Sequence, residues 1–486
     1  MPGAENEDIM AARTITKAFL IYPPTGLYDR FDRCQAPLES ETVFMIRPPM
    51  DLAYMAAALE KVGVECRIHD YPAEINGWDS LERDLKSFSP DILIASTIVP
   101  TFEADCRAFQ LAKSIDRDML TVAKGVISVD DGEIELTRHP EIDIIVRGEP
   151  EFTVAEIARG DELHHIQGIT YRDGSTIHVN LPRPDLENLD RLHFPARHLL
   201  NNDLYRMPDN GRRMGIVLTS KGCPYDCIFC LVGKVYGKKV IFRSPASLAA
   251  EIEQCVKEYD IHDFWFRSDT FTMNKRWVLD VCRLMIEKHF PIRWATNSRV
   301  DTIDDERLDW MKKAGCFAIG FGIESGSQEI LNRVKKGITL DQCHHAVRLC
   351  KEKGILTYLF YMIGLPWDSR ETIRQTVAFA KELDGDISNF SIAYPFTDSE
   401  LYRIALDNGL IKSGQEIRGD YSKPAIPTLY LTRAEVARLE KWANRALLLR
   451  PRYIARTLAR QRSLTSLKNY ISAGLRMLRY SLKTDM

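Results

Sequence analysis

Nothing in the 486-residue sequence approaches the roughly 18 consecutive apolar residues of a membrane span. The opening residues carry Glu5, Glu7 and Asp8 and lack the apolar core of a signal peptide, so a cytoplasmic chain is expected. Net charge is nearly absent too: 65 Lys and Arg stand against 68 Asp and Glu, leaving −3. That balance excludes a surface built throughout to coat nucleic acid, and no nucleic-acid partner is expected. An even cysteine set is missing as well. Eleven cysteines in a long chain without an export signal point to reduced thiols rather than a disulfide framework, so their spacing matters more than their number. The composition, 45% hydrophobic and 27% charged, rules out disorder and collagen. The length exceeds the roughly 250–300 residues at which single cores stop growing, so two or more domains are expected.

What is present reads as alternating strand and helix. Ala18-Phe19-Leu20-Ile21-Tyr22 is a short apolar run stopped by Pro23-Pro24, the pattern of a buried parallel strand. A helix over Asp51–Val62 ends at Gly63, a residue suited to a left-handed cap. Further strands are expected at 64–68, 91–96, 119–123 and 142–146. Strands separated by helices imply right-handed crossovers and a doubly wound parallel sheet over residues 17 to about 160. Such a sheet binds ligands beyond the carboxyl ends of its strands. A dinucleotide site is disfavoured, because no GxGxxG follows the first strand.

Residues from about 160 to 210, with Asp173-Gly174 as a hairpin turn, read as a small β excursion and a connector. A second series starts at Gly215–Thr219 and continues at 264–266, 292–295, 318–323, 357–363 and 389–393. These six strand candidates, all but the last followed by a helix-length segment, fit a partial (β/α)6 barrel with its chemistry at the strand carboxyl ends. Tyr358, Phe360, Tyr361, Tyr394 and Phe396 either line an apolar pocket there or fill the barrel core. Residues 441–486 hold eleven Lys or Arg against Asp485 alone, a net +10 that leaves −13 for the rest of the chain. Their leucines recur at helical spacing, giving two basic amphipathic helices broken near Pro451. These either pack on the acidic body or touch an anionic membrane surface. The expected division is 1–205, 206–430 and 431–486.

The most informative residues follow the first barrel strand: Ser220-Lys221-Gly222-Cys223-Pro224-Tyr225-Asp226-Cys227-Ile228-Phe229-Cys230. Three thiolates spaced CxxxCxxC can wrap an iron–sulfur cubane and leave its fourth iron open to a small molecule. Zinc is disfavoured because it takes four closed ligands in structural sites, and no fourth Cys or His follows nearby; Cys255 is 25 residues on, in a helical stretch.

This triplet after the first strand of a partial barrel, with Phe229 before its third cysteine, resembles the radical S-adenosylmethionine superfamily. Arg267–Thr272, Asn297–Asp301, Gly322–Ser327 and Gly364-Leu365-Pro366 resemble that family's later strand ends, although Trp367-Asp368-Ser369 replaces its usual Gly-Glu-Thr. The resemblance implies that Cys223, Cys227 and Cys230 hold a [4Fe-4S] cluster whose open iron binds S-adenosylmethionine. It also implies an electron from that cluster cleaving the cofactor to a 5′-deoxyadenosyl radical. Asp269, Asn297, Arg299, Glu324 and Ser325 are the implied cofactor contacts; no catalytic residue is assigned. The preceding sheet domain and its Arg147-Gly148-Glu149-Pro150-Glu151 turn resemble the cobalamin-binding subgroup, which places the corrin on the carboxyl edge of the sheet, here beside Gly125 and Gly148. Where that subgroup often carries a Gly-Gly-Pro-His-like segment, this chain has Lys124-Gly125-Val126-Ile127-Ser128, keeping one glycine and losing the histidine. The DxHxxG motif is absent, as is usual in the subgroup, and His69 reads as a solvated loop residue. The implied activity is C-methylation of a small-molecule or lipid-like biosynthetic intermediate, fed by a reductant such as flavodoxin or ferredoxin. Oxidation, cyclisation or rearrangement without methyl transfer is the alternative, and a non-catalytic iron–sulfur or cobalamin sensor a third.

Overall fold

The computed structural model describes residues 14–30, 35–40, 45–125, 132–397, 399–412, 417, 422–459, 467–468, 470–472 and 474–475. The chain divides into two compact units, one of Met1–Asp32, Pro49–Glu187 and Arg191–Asn201, the other of Arg33–Pro48, Asn188–Asp190 and Asn202–Met486.

The first unit runs β1 (Lys17–Tyr22), α1 (Met50–Lys61), β2 (Glu65–Asp70), α2 (Tyr71–Glu74), α3 (Trp78–Phe88), β3 (Ile92–Thr97), α4 (Phe102–Asp105), α5 (Arg107–Ile115), β4 (Leu120–Gly125), α6 (Glu133–Arg138), β5 (Ile144–Val146), α7 (Pro150–Arg159), β6 (Ile169–Asp173) and β7 (Thr176–Val179). The sheet order is β2-β1-β3-β4-β5-β6-β7, parallel through β5. Apolar runs with no polar alternation, such as Ile92–Ala95, form its centre because helices cover both faces. The hairpin at Asp173-Gly174 is not a separate excursion. Its strands add antiparallel to β5 and extend the same sheet. β2 also runs two residues past its expected end, so His69 is a strand residue, half-buried, stacked on Tyr71 at 5.4 Å and paired with Glu74 at 2.9 Å. The expectation of a solvated loop histidine fails because the pairing of β1 with β2 continues through Asp70.

The second unit contains β8 (Met214–Leu218), β9 (Ser220–Lys221), α8 (Val232–Val235), β10 (Ile241–Phe242), α9 (Pro245–Tyr259), β11 (Asp263–Arg267), α10 (Lys275–Glu287), β12 (Arg293–Ser298), α11 (Asp305–Lys313), β13 (Cys316–Glu324), α12 (Gln328–Arg333), α13 (Leu340–Glu352), β14 (Leu356–Ile363), α14 (Arg370–Leu383), β15 (Ile387–Ile392), α15 (Glu400–Asp407), α16 (Arg433–Leu448) and α17 (Pro451–Ala459). Six parallel strands in the order β15-β14-β13-β12-β11-β8 make the partial barrel, and β9 pairs separately with β10. One set of alternate residues, including Phe266, Trp294, Phe321 and Tyr361, packs outward with the helices in a single core. The other set faces inward: Trp265 of β11 stacks on Tyr358 of β14 at 6.4 Å, although two strands lie between them.

Of the five aromatics near the last strands, Tyr358 and Phe360 therefore lie on the inner face. Tyr361 is outward core, and Tyr394 and Phe396 cluster with Ala36. The tail breaks at Pro451 as expected, but α16 belongs to the barrel core through Val436, Ala443 and Leu447, and two tail cations, Arg450 and Arg456, pair with Asp384. Leu464, Leu478 and Leu482 lie outside the described residues. No described helix is long and apolar enough to cross a membrane.

Candidate active site

The three-cysteine loop leaves the carboxyl end of β8. Gly222 opens it in a left-handed conformation, φ +90°, and a Cβ there would lie 2.2 Å from the Lys239 carbonyl oxygen, so only glycine fits. Its N–H donates to Asp269 Oδ2 at 3.0 Å. The middle of the loop is clamped by Ile228, buried among Ile330, Val334, Leu365 and Leu401, which donates its N–H to the Val334 carbonyl and accepts from Leu401 N–H. Cys223, Cys227 and Cys230 are all partly exposed, unlike the buried Cys255, Cys282, Cys316, Cys343 and Cys350 of the same unit. Burial pushes the Cys227 thiol up to about 11, offset in part by Lys336. Cys230 N–H donates to the Cys227 carbonyl at 3.0 Å, turning the loop between the second and third thiols. Three neighbouring soft donors with no disulfide between them suit a cubane cluster.

Around this loop the inner strand ends bring together most of the residues singled out from sequence. Asn297 presents a buried Oδ1 with no hydrogen-bond partner, an acceptor awaiting a donor from a ligand. Two glycines of β13 make the room for this group of side chains. A Cβ on Gly320 would lie 2.4 Å from Asn297 Oδ1, and one on Gly322 would lie 2.3 Å from Glu324 Oε1. Glu324 itself holds φ +66°, unusual for a residue with a Cβ. Arg299 lies 3.4 Å over the Tyr225 ring, pairs with Asp301 at 2.9 Å and donates to the Lys336 carbonyl at 2.8 Å. Ser325 is different: its hydroxyl is bonded to Thr376 and accepts from Ser327 N–H, holding the turn after β13. Asp368, where the turn departs from the family pattern, accepts from Gly364 and Leu365 N–H, and burial pushes its carboxyl up to about 6.

Lys336 was missed from sequence. It is buried, donates to Glu324 at 2.7 Å and lies beside Cys227. Its only sequence signal is the Lys335-Lys336-Gly337 turn, ordinary for a solvated helix connection.

The carboxyl edge of the first unit's sheet carries a second polar group of residues. Asp51 accepts from Tyr22 Oη and Ser96 Oγ, each at 2.7 Å, and from Lys124 Nζ at 3.0 Å. Burial alone would raise its pKa, but Lys124 and the hydroxyl donors outweigh that and hold it at about 2. A Cβ on Gly125 would lie 2.0 Å from the Thr97 carbonyl oxygen, whereas nothing lies within 4 Å of a Cβ on Gly148, φ +71°. Gly148 thus leaves bare backbone at this edge, a place suited to a planar macrocycle, whereas Gly125 is required by the close approach of Thr97. Residues 126–131, where the Gly-Gly-Pro-His-like segment would fall, lie outside those described.

Residues 217–380 match the radical SAM superfamily, and residues 41–158 match the B12 binding domain. An uncharacterized methyltransferase of Pyrococcus horikoshii is 31% identical over 445 residues, covering 90% of this chain and 94% of the relative. The chain belongs to the radical SAM superfamily. Within that superfamily it falls in the cobalamin-binding branch. The anaerobic magnesium-protoporphyrin IX monomethyl ester cyclase of Rubrivivax gelatinosus is 28% identical over 368 residues, 73% of this chain and 66% of the cyclase. Among solved structures, the radical S-adenosylmethionine methyltransferase TsrM of Kitasatospora setae, with cobalamin and a [4Fe-4S] cluster bound, shares the fold. Its TM-score is 0.65 at 20% identity, over 87% of this chain and 85% of that one. This radical SAM enzyme accordingly uses a [4Fe-4S] cluster, S-adenosylmethionine and cobalamin.

Proposed function

We propose that this radical SAM enzyme methylates an unactivated carbon of a small-molecule or lipid-like biosynthetic intermediate. The observation that carries the reading is a three-thiol loop at the mouth of a partial barrel, in one chain with a B12-type domain. Similarity to a methyltransferase over 90% of the chain adds support. When bound, the cluster with S-adenosylmethionine supplies radical chemistry, and cobalamin supplies a transferable methyl group.

The chain's own work is to hold and orient. Cys223, Cys227 and Cys230 ligate the cluster. Asp269, Asn297, Arg299 and Glu324 face S-adenosylmethionine from the strand ends, and Ser325 shapes the turn behind Glu324. Gly148 leaves backbone open to the corrin, and Gly125 lets β4 lie close against Thr97 at the same edge. Trp265, Tyr358 and Phe360 give the inner barrel face an aromatic lining that excludes water from a reactive carbon centre. A flavodoxin or ferredoxin is the class of reductant required, and the labour divides as 1–205 for cobalamin, 206–430 for the radical and 431–486 for the tail.

Anaerobically reconstituted, dithionite-reduced enzyme is expected to form 5′-deoxyadenosine, and Cys227→Ala to abolish it. S-adenosylhomocysteine formed alongside, only with cobalamin and substrate, supports methyl transfer; its absence with the true substrate overturns it. A cyclisation or oxidation without methyl transfer is favoured by the identity to the tetrapyrrole cyclase, and predicts 5′-deoxyadenosine alone. A sensor predicts neither product. The exposed Ile454, Leu458, Ile471 and Leu475 support a contact of the tail with anionic membrane. Deleting residues 451–486, which spares α16 and the barrel core, should then abolish co-sedimentation with anionic vesicles at low salt; unchanged co-sedimentation rejects the contact.

A further inference from the structure

The first unit also holds a cluster of three different metal-ligating groups, none of them a residue that the cobalamin reading uses. Cys106 Sγ, a ring nitrogen of His139 and a carboxylate oxygen of Glu141 all lie within 4.8 Å of one another. They come from two crossovers. Cys106 sits at the junction of α4 and α5, and His139-Pro140-Glu141 forms the turn between α6 and β5. The thiol is fully buried, and the side chains of His139 and Glu141 are only 12% and 10% exposed.

The imidazole has a carboxylate at each nitrogen. Nδ1 is 3.2 Å from Glu141 Oε1, and Nε2 is 3.5 Å from Glu103 Oε2. An imidazolium would donate to both, whereas a neutral ring carries one N–H and donates to only one. A cation held by Nδ1, Cys106 and Glu141 suits the neutral ring: Nδ1 gives its lone pair to the ion and Nε2–H donates to Glu103, the carboxylate–histidine–metal arrangement that fixes a ligating ring. Gln110 Nε2 donates to Glu141 Oε1 at 2.9 Å and orients that carboxylate, while the Phe102 ring packs edge-on to the imidazole at 5.2 Å. Cys106 continues the helical path from α4 into α5, its N–H donating to the Phe102 carbonyl and its own carbonyl accepting from Gln110 N–H, so its backbone position is fixed.

We propose that Cys106, His139 and Glu141 bind a zinc ion that staples the α4–α5 junction to the α6–β5 turn, with Glu103 as the partner of His139. Zinc accepts sulfur, nitrogen and oxygen donors together, and at ordinary bond lengths of about 2.0–2.3 Å it requires donor separations of about 3.3–3.8 Å, reached by small side-chain shifts from the arrangement described. A water completes the tetrahedron. The site is independent of the cluster cysteines and of methyl transfer.

The test uses the full chain with Cys223, Cys227 and Cys230 changed to alanine, so that no cluster thiol competes for metal. Expected are one zinc per chain by mass spectrometry after buffer exchange, and, with Co2+ in its place, a thiolate-to-cobalt absorption band with tetrahedral visible bands. Cys106→Ser should remove the thiolate band. His139→Ala and Glu141→Gln should each weaken Co2+ binding at least tenfold, and Glu103→Gln, at a largely exposed position, should weaken it about tenfold without a change in fold. His164→Ala with His165→Ala, at the exposed Glu162 cluster, should change nothing. Absence of retained zinc, or a cobalt spectrum and affinity indifferent to both Cys106→Ser and Glu103→Gln, overturns the proposal.

Discussion

The Asp51 network ties the carboxyl ends of β1, β3 and β4 to α1 through one carboxylate, so its removal has a calculable effect. A carboxyl held at about 2 instead of its ordinary 3.8 contributes about 2.4 kcal/mol to the native state at neutral pH. Asp51→Asn should therefore cost at least about 2 kcal/mol, because the Lys124 ammonium, only 16% exposed, loses its contact with this carboxylate. The sign of the pH dependence follows from a depressed folded-state value. The stabilisation is complete above the unfolded value of 3.8 and is lost as pH falls through 2, leaving about 1.3 kcal/mol at pH 3. Pulse proteolysis in urea, with thermolysin at pH 7 and pepsin at pH 3, reads this from fragments spanning residues 49–125. An unaltered urea midpoint at pH 7 would refute the reasoning, as would a difference between variant and parent that does not shrink at pH 3.

Gly320→Ala puts a methyl group 2.4 Å from Asn297 Oδ1 and 3.0 Å from Phe360, forcing the amide aside. If that amide faces the cofactor, S-adenosylmethionine should bind roughly 2- to 10-fold more weakly in equilibrium dialysis with cluster content unchanged, the equivalent of one hydrogen bond; unchanged affinity removes Asn297 from the site. Lys336→Met takes a buried positive charge from beside Cys227. The midpoint potential of the cluster, followed by electron paramagnetic resonance, should move to more negative values. A shift in the other direction contradicts the placement.

Much of this architecture could be read from apolar runs alone, since strands buried on both faces carry no polar alternation: β1, β3 and β13 appear in the sequence within two residues of their observed bounds. The cluster loop was legible because three thiols at fixed short spacing have few other uses. The surroundings of that loop were not. Lys336 meets Glu324 only because Glu324 and Lys335 both adopt positive φ, and nothing in a linear spacing reports a backbone conformation of that kind. The function of Gly320 and Gly322 was hidden for a related reason. A strand glycine reads as a weakness until the side chain that fills its vacant space, contributed from a neighbouring strand or a distant turn, is known. Ser325 shows the converse: motif membership marked it as a contact, whereas its hydroxyl is spent on Thr376.

β1 lies between β2 and β3 in its sheet, yet residues 33–48, which join it to α1, belong to the other compact unit. No single cut yields either unit intact. A fragment beginning at Pro49 lacks a central strand and leaves β2 with nothing to pair with, whereas one beginning at Asn202 loses residues such as Met45, which packs on Met207 and Met214. The cofactor domains of this chain are therefore not interchangeable modules. A cut at either linker removes residues that one of the two units uses.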